Sequence, residues 1–237
     1  VDAYDSDLTH STPAPLSIVR RYLSATTVGN YGLFAGGFNN SNTSAVVDAY
    51  DSDLTRSTPA PLSMARYFLS ATTVGNYGLF AGGFNNSGTS AVVDAYDSDL
   101  TRSTPAPLSM ARCFLSATTV GDYGLIAGGQ TNYGISAVVD AYDKNLIHSV
   151  PAQISVEREY LSATTVGDYG LIAGGQTNYG ISAVVDAYDK NLIHSVPAQI
   201  SVEREHLSAT TVGNYGLIAG GQANTGNSNV TSGYTII

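Results

Sequence analysis

Five arginines, Arg20, Arg66, Arg112, Arg158 and Arg204, stand at intervals of 46 residues in a chain of 237 that holds only ten lysines and arginines. A guanidinium is always charged and presents a planar fork of N–H donors that meets a carboxylate, phosphate or sulfate two bonds at a time. Five of them at one position of a repeat predict a ring around a central channel that receives an anionic group. The competing reading is that each arginine bonds carbonyls or a carboxylate of an adjacent repeat. Glu157, Glu159, Glu203 and Glu205 flank the last two arginines and neutralise part of any such ring. A second column, Asn40, Asn86, Asn132, Asn178 and Asn224, is constant inside an otherwise variable segment. Asparagine there serves its own turn backbone or, beside Phe38, Tyr133 or Tyr179, offers an amide that grips a sugar or a peptide. Tyr67, next to Arg66, completes the candidate ligand-binding set.

Other chemistries find less support. Asp-Ser-Asp at residues 5–7, 51–53 and 97–99 suggests a calcium loop, but an EF-hand needs a twelve-residue run closed by glutamate, and the later copies read Asp-Lys-Asn at 143–145 and 189–191. His10, His148 and His194 share one column with Arg56 and Arg102 and lie far from one another in sequence, and His206 stands apart. Cys113 is the single cysteine, so no internal disulfide or thiolate cluster is expected. No Ser/His/Asp set, paired carboxylates or metal-ligand spacing emerges, and GNYGLFAGG followed by no helix is not a phosphate loop. The reading is of no catalytic residue, no metal and no cofactor. A formal net charge of -9 lacks the basic face that nucleic acid requires, and no run approaches the ~18 apolar residues of a membrane span.

The elements that position these columns are repeats. LSATTVGNYGLFAGG at 23–37 returns almost letter for letter four more times, its leucines at Leu23, Leu69, Leu115, Leu161 and Leu207. A fixed period of this length signals a propeller, a solenoid or an array. Within one unit, Leu23 to Val28 and Tyr31 to Ala35 read as strands joined by a Gly29-Asn30 hairpin turn. Ala45 to Tyr50 reads as a third strand after a polar loop, and the stretch around Leu54 to Leu62, with Pro59 and Pro61, as an edge strand. Four hairpin-linked strands form an antiparallel sheet too small to bury both faces alone, and sheets of this size repeated radially make a propeller of about four to eight blades. The Gly-Gly doublets at 36/37, 82/83, 128/129, 174/175 and 220/221 end the second strand where a neighbour comes close.

The expected fold is therefore all-β: a five-bladed propeller of four-stranded antiparallel blades, with units at about 18–63, 64–109, 110–155, 156–201, and 202–237 completed by 1–17. The length is five periods and seven residues, so residues 1–7 and 231–237 compete for one third-strand slot. We expect the last blade to take three strands from the C-terminus, ending in 229–236, and its outer strand from Leu8 to Leu16, which closes the ring; the alternative places Val1 to Asp5 in the slot.

The apolar run ending in Gly-Gly, the Tyr50-Asp51 pair closing the third strand and Arg66 before the first strand resemble the kelch-repeat propellers, over essentially the whole chain. Leucines 8, 54, 100, 146 and 192 stand after the Tyr-Asp pair, where the family usually places tryptophan. The near-identity of the copies is similar to kelch-like arrays of bacteria and their phages. The resemblance implies a propeller whose arginines line a ligand-binding mouth, and it favours an extracellular, cell-surface or virion-associated setting.

Variation among the copies concentrates in two places: the loop between strands two and three (38–43 and its equivalents) and the segment entering strand one (18–22 and its equivalents). Both are expected on one face. Near-identical blades present one group several times, which suits avid binding better than an asymmetric active site. The expectation is a monomeric, non-catalytic scaffold for a glycan or protein partner; the alternatives are an enzyme acting on an acidic sugar and a structural spacer of a larger surface or phage-tail protein.

Overall fold

A computed structural model describes residues 1–235. The chain is built from strands and turns, and its core unit is a four-stranded antiparallel sheet that recurs every 46 residues. The first sheet comprises Ser24–Val28, Tyr31–Ala35, Val47–Tyr50 and Arg56–Ser57, paired in that order. The second runs from Ser70–Val74 to Arg102–Ser103, the third from Ser116–Val120 to His148–Ser149 and the fourth from Ser162–Val166 to His194–Ser195. A fifth sheet has three strands, Ser208–Val212, Tyr215–Ala219 and Thr231–Thr235.

Local chemistry accounts for the unit. Gly29 takes φ 53° at the first position of the two-residue turn, as a hairpin matching the strand twist requires. After the third strand, the Asp51 carboxylate accepts the N–H groups of Asp53 and Thr55 at 3.0 and 2.8 Å and turns the chain back; the Asp-Ser-Asp pattern is thus a turn device. The outer strand is only two residues long, shorter than the stretch read from sequence, because it ends before Pro59, which has no N–H to continue the ladder. The polar loop between the second and third strands is more ordered than expected. It folds into a small hairpin of its own, Phe38–Asn39 against Asn42–Thr43, repeated in every copy.

The sheets pack face to face through four apolar cores, one for each neighbouring pair. In the first, Val28, Leu33, Ala35 and Val47 of one sheet meet Phe80 and Tyr96 of the next; the other cores repeat the plan. The first strands line an open groove of about 480 Å³, with alanines and threonines from all five sheets. Threonine hydroxyls link successive strands across it: Thr26 to Thr73, Thr72 to Thr119, Thr118 to Thr165 and Thr164 to Thr211, each at 2.8–2.9 Å. The architecture is propeller-like, and the described residues form no closed sheet.

The termini depart from the expected closure. Thr231–Thr235 does fill the third-strand slot of the fifth sheet, while Ile236 lies outside the described residues. The N-terminal outer strand, His10–Ser11, does not pair with that sheet; it pairs with Ala3–Tyr4. The reason is local. Asp5 makes the same turn as Asp51, accepting from Asp7 and Thr9, and closing a short hairpin costs far less chain entropy than closing one across the whole repeat array.

Candidate functional site

The two variable connections lie side by side, as expected. Arg21 and Phe38 exchange both backbone hydrogen bonds, at 3.0 and 2.8 Å, tying the segment that enters strand one to the small hairpin. Tyr67 with Phe84, Cys113 with Gln130, Glu159 with Gln176 and Glu205 with Gln222 repeat the bridge.

The arginine column sits beneath this face and does not reach solvent. Arg66, Arg112, Arg158 and Arg204 are fully buried. Arg66 donates through Nη1 to the carbonyls of Gly82 and Val92 and through Nη2 to Asp94. Arg20 does the same with Gly36, Val46 and, at 2.6 Å, Asp48. These partners belong to the arginine's own sheet, not to an adjacent one. A buried guanidinium is costly unless it is paired and hydrogen-bonded; here the Nη donors are taken up inside the fold, and the Nε of Arg20, Arg112 and Arg158 is buried without a partner among the described residues. Burial pulls the Arg112 pKa below arginine's usual value, against the opposing charge of Asp140.

The partner column, Asp48, Asp94, Asp140 and Asp186, was not singled out from sequence, although the aspartate recurs inside each VDAY motif. Each carboxylate is buried and accepts from three sides. Asp140 receives Arg112, the Ser109 N–H at 2.8 Å and His148 Nε2 at 2.7 Å; Asp94 receives Arg66, Ser63 and Arg102. This explains the column shared by Arg56, Arg102, His148 and His194: each is the second partner of an aspartate. The fifth copy is the exception, with Ser232 meeting Arg204 at 3.1 Å where the others supply a carboxylate.

The asparagine column is exposed, at the turns of the small hairpins. Asn132 accepts the Thr89 N–H of the neighbouring hairpin at 3.2 Å, and Asn224 donates to Glu203 at 3.2 Å. Asn40, Asn86 and Asn178 occupy the same turn position and are exposed likewise. Tyr133 and Tyr179 project from hairpin tips into solvent, fully exposed. Tyr67 is half-buried among Phe38, Phe68 and Phe84, with ring centroids 4.8–5.7 Å away.

A feature that the sequence columns contained but that was not read from them lies where the first strands begin. Tyr22, Phe68, Phe114, Tyr160 and His206, one per repeat, form an arc in which consecutive ring centroids are 4.1–4.4 Å apart. All five hold φ between 52° and 59°, a left-handed conformation that bulky residues rarely adopt. Each N–H after the first donates to the preceding member's carbonyl, from Phe68 to Tyr22 onward, at 3.0–3.2 Å. With Leu23, Leu69, Leu115, Leu161 and Leu207 they line a cavity of about 620 Å³, within the size range of small-ligand sites.

Beneath the arc the next column is buried at one end. Burial and the neighbouring Glu159 push the Cys113 thiol up to about 12, so it is a packed, unreactive side chain. Burial, then the Glu205 charge, raises the Glu159 carboxyl above its usual range. One oxygen each of Glu159 and Glu205 is buried without a hydrogen-bond partner among the described residues. Comparison with known proteins finds neither a family model nor a curated protein that matches the chain.

Proposed function

We propose that this protein is a non-catalytic binding scaffold of kelch type that recognises a glycan or protein partner on the face formed by the small hairpins and the segments entering the first strands. The observation that carries the reading is the aromatic arc: five rings held in a strained backbone conformation around a cavity whose lining mixes polar and apolar surface. Outside glycine, positive φ recurs at two positions of the repeat, the arc and the column of leucines 8, 54, 100, 146 and 192; at the arc it coincides with stacked rings, which suit the apolar face of a sugar or an aromatic side chain of a peptide. The exposed asparagines, Tyr133 and Tyr179 lie on the same face and extend it with polar and aromatic contacts. The buried arginines contribute by holding that face in place, and an acidic-sugar enzyme that uses their charge gains no support from groups already paired with aspartate. Several equivalent contacts raise avidity where a target's spacing permits simultaneous engagement.

The test is a glycan array and a pulldown with the wild-type chain, followed by the Phe114→Ala variant and the Tyr133→Ala/Tyr179→Ala double variant. Binding is expected to fall at least tenfold in Phe114→Ala and less in the double variant. Binding that is indifferent to both would remove this face from consideration.

A further inference from the structure

A cavity of about 320 Å³ opens between the small hairpin of the third repeat and the segment that leads into the fourth, away from both ends of the chain. Its wall is half-buried and apolar, with Ile135 and Val138, and the side chains that border it are exposed: Tyr133, Gln153 and Glu157. The Gln153 and Glu157 side chains have no hydrogen-bond partner or ion pair among the described residues. Tyr133 stands on a tip that the chain itself fixes. Thr131 Oγ1 accepts the Tyr133 N–H at 3.0 Å and donates to the Gly134 carbonyl at 2.9 Å. A tip already ordered loses little entropy when a ligand binds.

Three positions separated in sequence thus meet at one cavity, and the chain contains the set twice. Residues 130–159 recur unchanged at 176–205. Tyr179, Gln199 and Glu203 are likewise exposed, and Thr177 holds the tip of Tyr179 by the same two bonds, at 3.0 and 2.9 Å. One contact differs: Glu203 accepts from Asn224 at 3.2 Å. The first two repeats have none of the three side chains. Ser41 and Ser87 replace the tyrosine, Pro61 and Pro107 the glutamine, and Ala65 and Ala111 the glutamate.

We infer that this cavity and its twin each bind a neutral hexose unit of a glycan, resting on the reading of this face as a binding surface and narrowing it to the third and fourth repeats. A carboxylate accepts several O–H donors, and a glutamine amide both donates and accepts. Together they match vicinal sugar hydroxyls, each of which is donor and acceptor. The Tyr133 ring and the wall of Ile135 and Val138 meet the C–H face of the sugar. No lysine or arginine is among the described residues that line the cavity, so a uronic acid or a sulfated sugar would bring its charge against Glu157 without a counter-charge. The volume stands at the lower end of the range for small-ligand cavities, which suits one sugar ring better than a length of peptide. A basic side chain would engage the carboxylate and leave the amide without a role. Two sites on one chain let a polysaccharide engage twice where its spacing permits.

The probes are the methyl glycosides of glucose, galactose and mannose, with methyl glucuronide as the acidic counterpart, titrated against the 237-residue chain and read by saturation-transfer NMR and calorimetry. At least one neutral glycoside is expected to bind saturably, and the glucuronide to bind more weakly or not at all. Tyr133→Ala/Tyr179→Ala should weaken the glycoside roughly tenfold, and Glu157→Ala/Glu203→Ala at least as much. Melting temperatures should not change, since all four side chains are exposed. The inference is overturned if no neutral glycoside binds, if the glucuronide binds as tightly, or if binding survives both double variants. Capture of a lysine-rich peptide in place of the glycosides, lost in Glu157→Ala/Glu203→Ala, also overturns it and makes a basic protein the occupant. Phe114→Ala tells this site from the arc: glycoside binding lost there but kept in the tyrosine variant would place the sugar at the arc, ending this inference and leaving the wider binding face in place.

Discussion

The fourth and fifth sheets share their first two strands except at one turn residue, SATTVGDYGLIAGG at 162–175 and SATTVGNYGLIAGG at 208–221. Yet Val166 is 3% exposed and Val212 is 56% exposed. The strands are the same; what differs is that a sheet follows the fourth and none in the described chain covers the fifth. Burial in this molecule is conferred by the neighbour, as expected where each repeat touches only the adjacent ones. The third strands differ in chemistry as well: Asp186 pairs with Arg158, while Ser232 leaves the buried Arg204 without a carboxylate.

That comparison can be broken most forcefully at the arginines. Arg112→Ala strands the buried Asp140 and should cost about 3–5 kcal/mol, the usual penalty for breaking a buried pair; Arg204→Ala strands no carboxylate and should cost less than half as much. Chemical denaturation of both variants checks this, and equal losses would mean that the aspartate contributes nothing. At the apolar level, Val120→Ala should destabilise by roughly 2 kcal/mol through lost packing. Val212→Ala should stay within about 0.5 kcal/mol, as surface changes do.

Supplying the missing partner sharpens the contrast from the other side. Ser232→Asp gives Arg204 the carboxylate that the other copies have and should raise stability by about 1 kcal/mol, seen as a melting-temperature increase of about 2–4 °C. An unchanged or lower value would show that the fifth site is too open to use the pair.

The smallest effect is a pH dependence. Because burial and Glu205 raise the Glu159 carboxyl in the folded chain, the folded state keeps a proton that the unfolded state has already lost. Stability from this group is therefore greatest below its ordinary value of 4.5 and declines as pH rises through the raised folded value. Glu159→Gln should be more stable than wild type above that window and indistinguishable below it, measured as denaturation midpoints against pH.

Much of the repeat unit was legible because its signals are local. The period, the turn at Gly29 and the Gly-Gly doublet each carry their own stereochemistry: Gly36 and Gly37 hold φ at 71° and 106°, and a Cβ on Gly36 would lie 2.6 Å from the Arg66 carbonyl. The side-chain roles were less legible because they depend on which group occupies the space next to them. A constant arginine reads as a ligand site until Asp94, constant at its own offset, is placed against it. The aromatic arc was hidden by composition: Tyr22, Phe68, Phe114, Tyr160 and His206 are three kinds of residue but one position in space. The pairing of the ends was not legible, since periodicity assigns residues 1–7 and 231–237 the same slot and cannot say that the Asp5 turn lets the first of them fold on its own outer strand.

The sameness of the four internal contacts bears on how such a chain changes over generations. Leu62-Ser63-Met64 and Leu108-Ser109-Met110 are identical triplets one period apart. Excision of residues 64–109 would join Ser63 to Met110 with the junction unaltered, and every surviving sheet would meet a neighbour of the kind it had before. Loss of one unit in this way changes the number of repeats without creating a contact between sheets of a new kind.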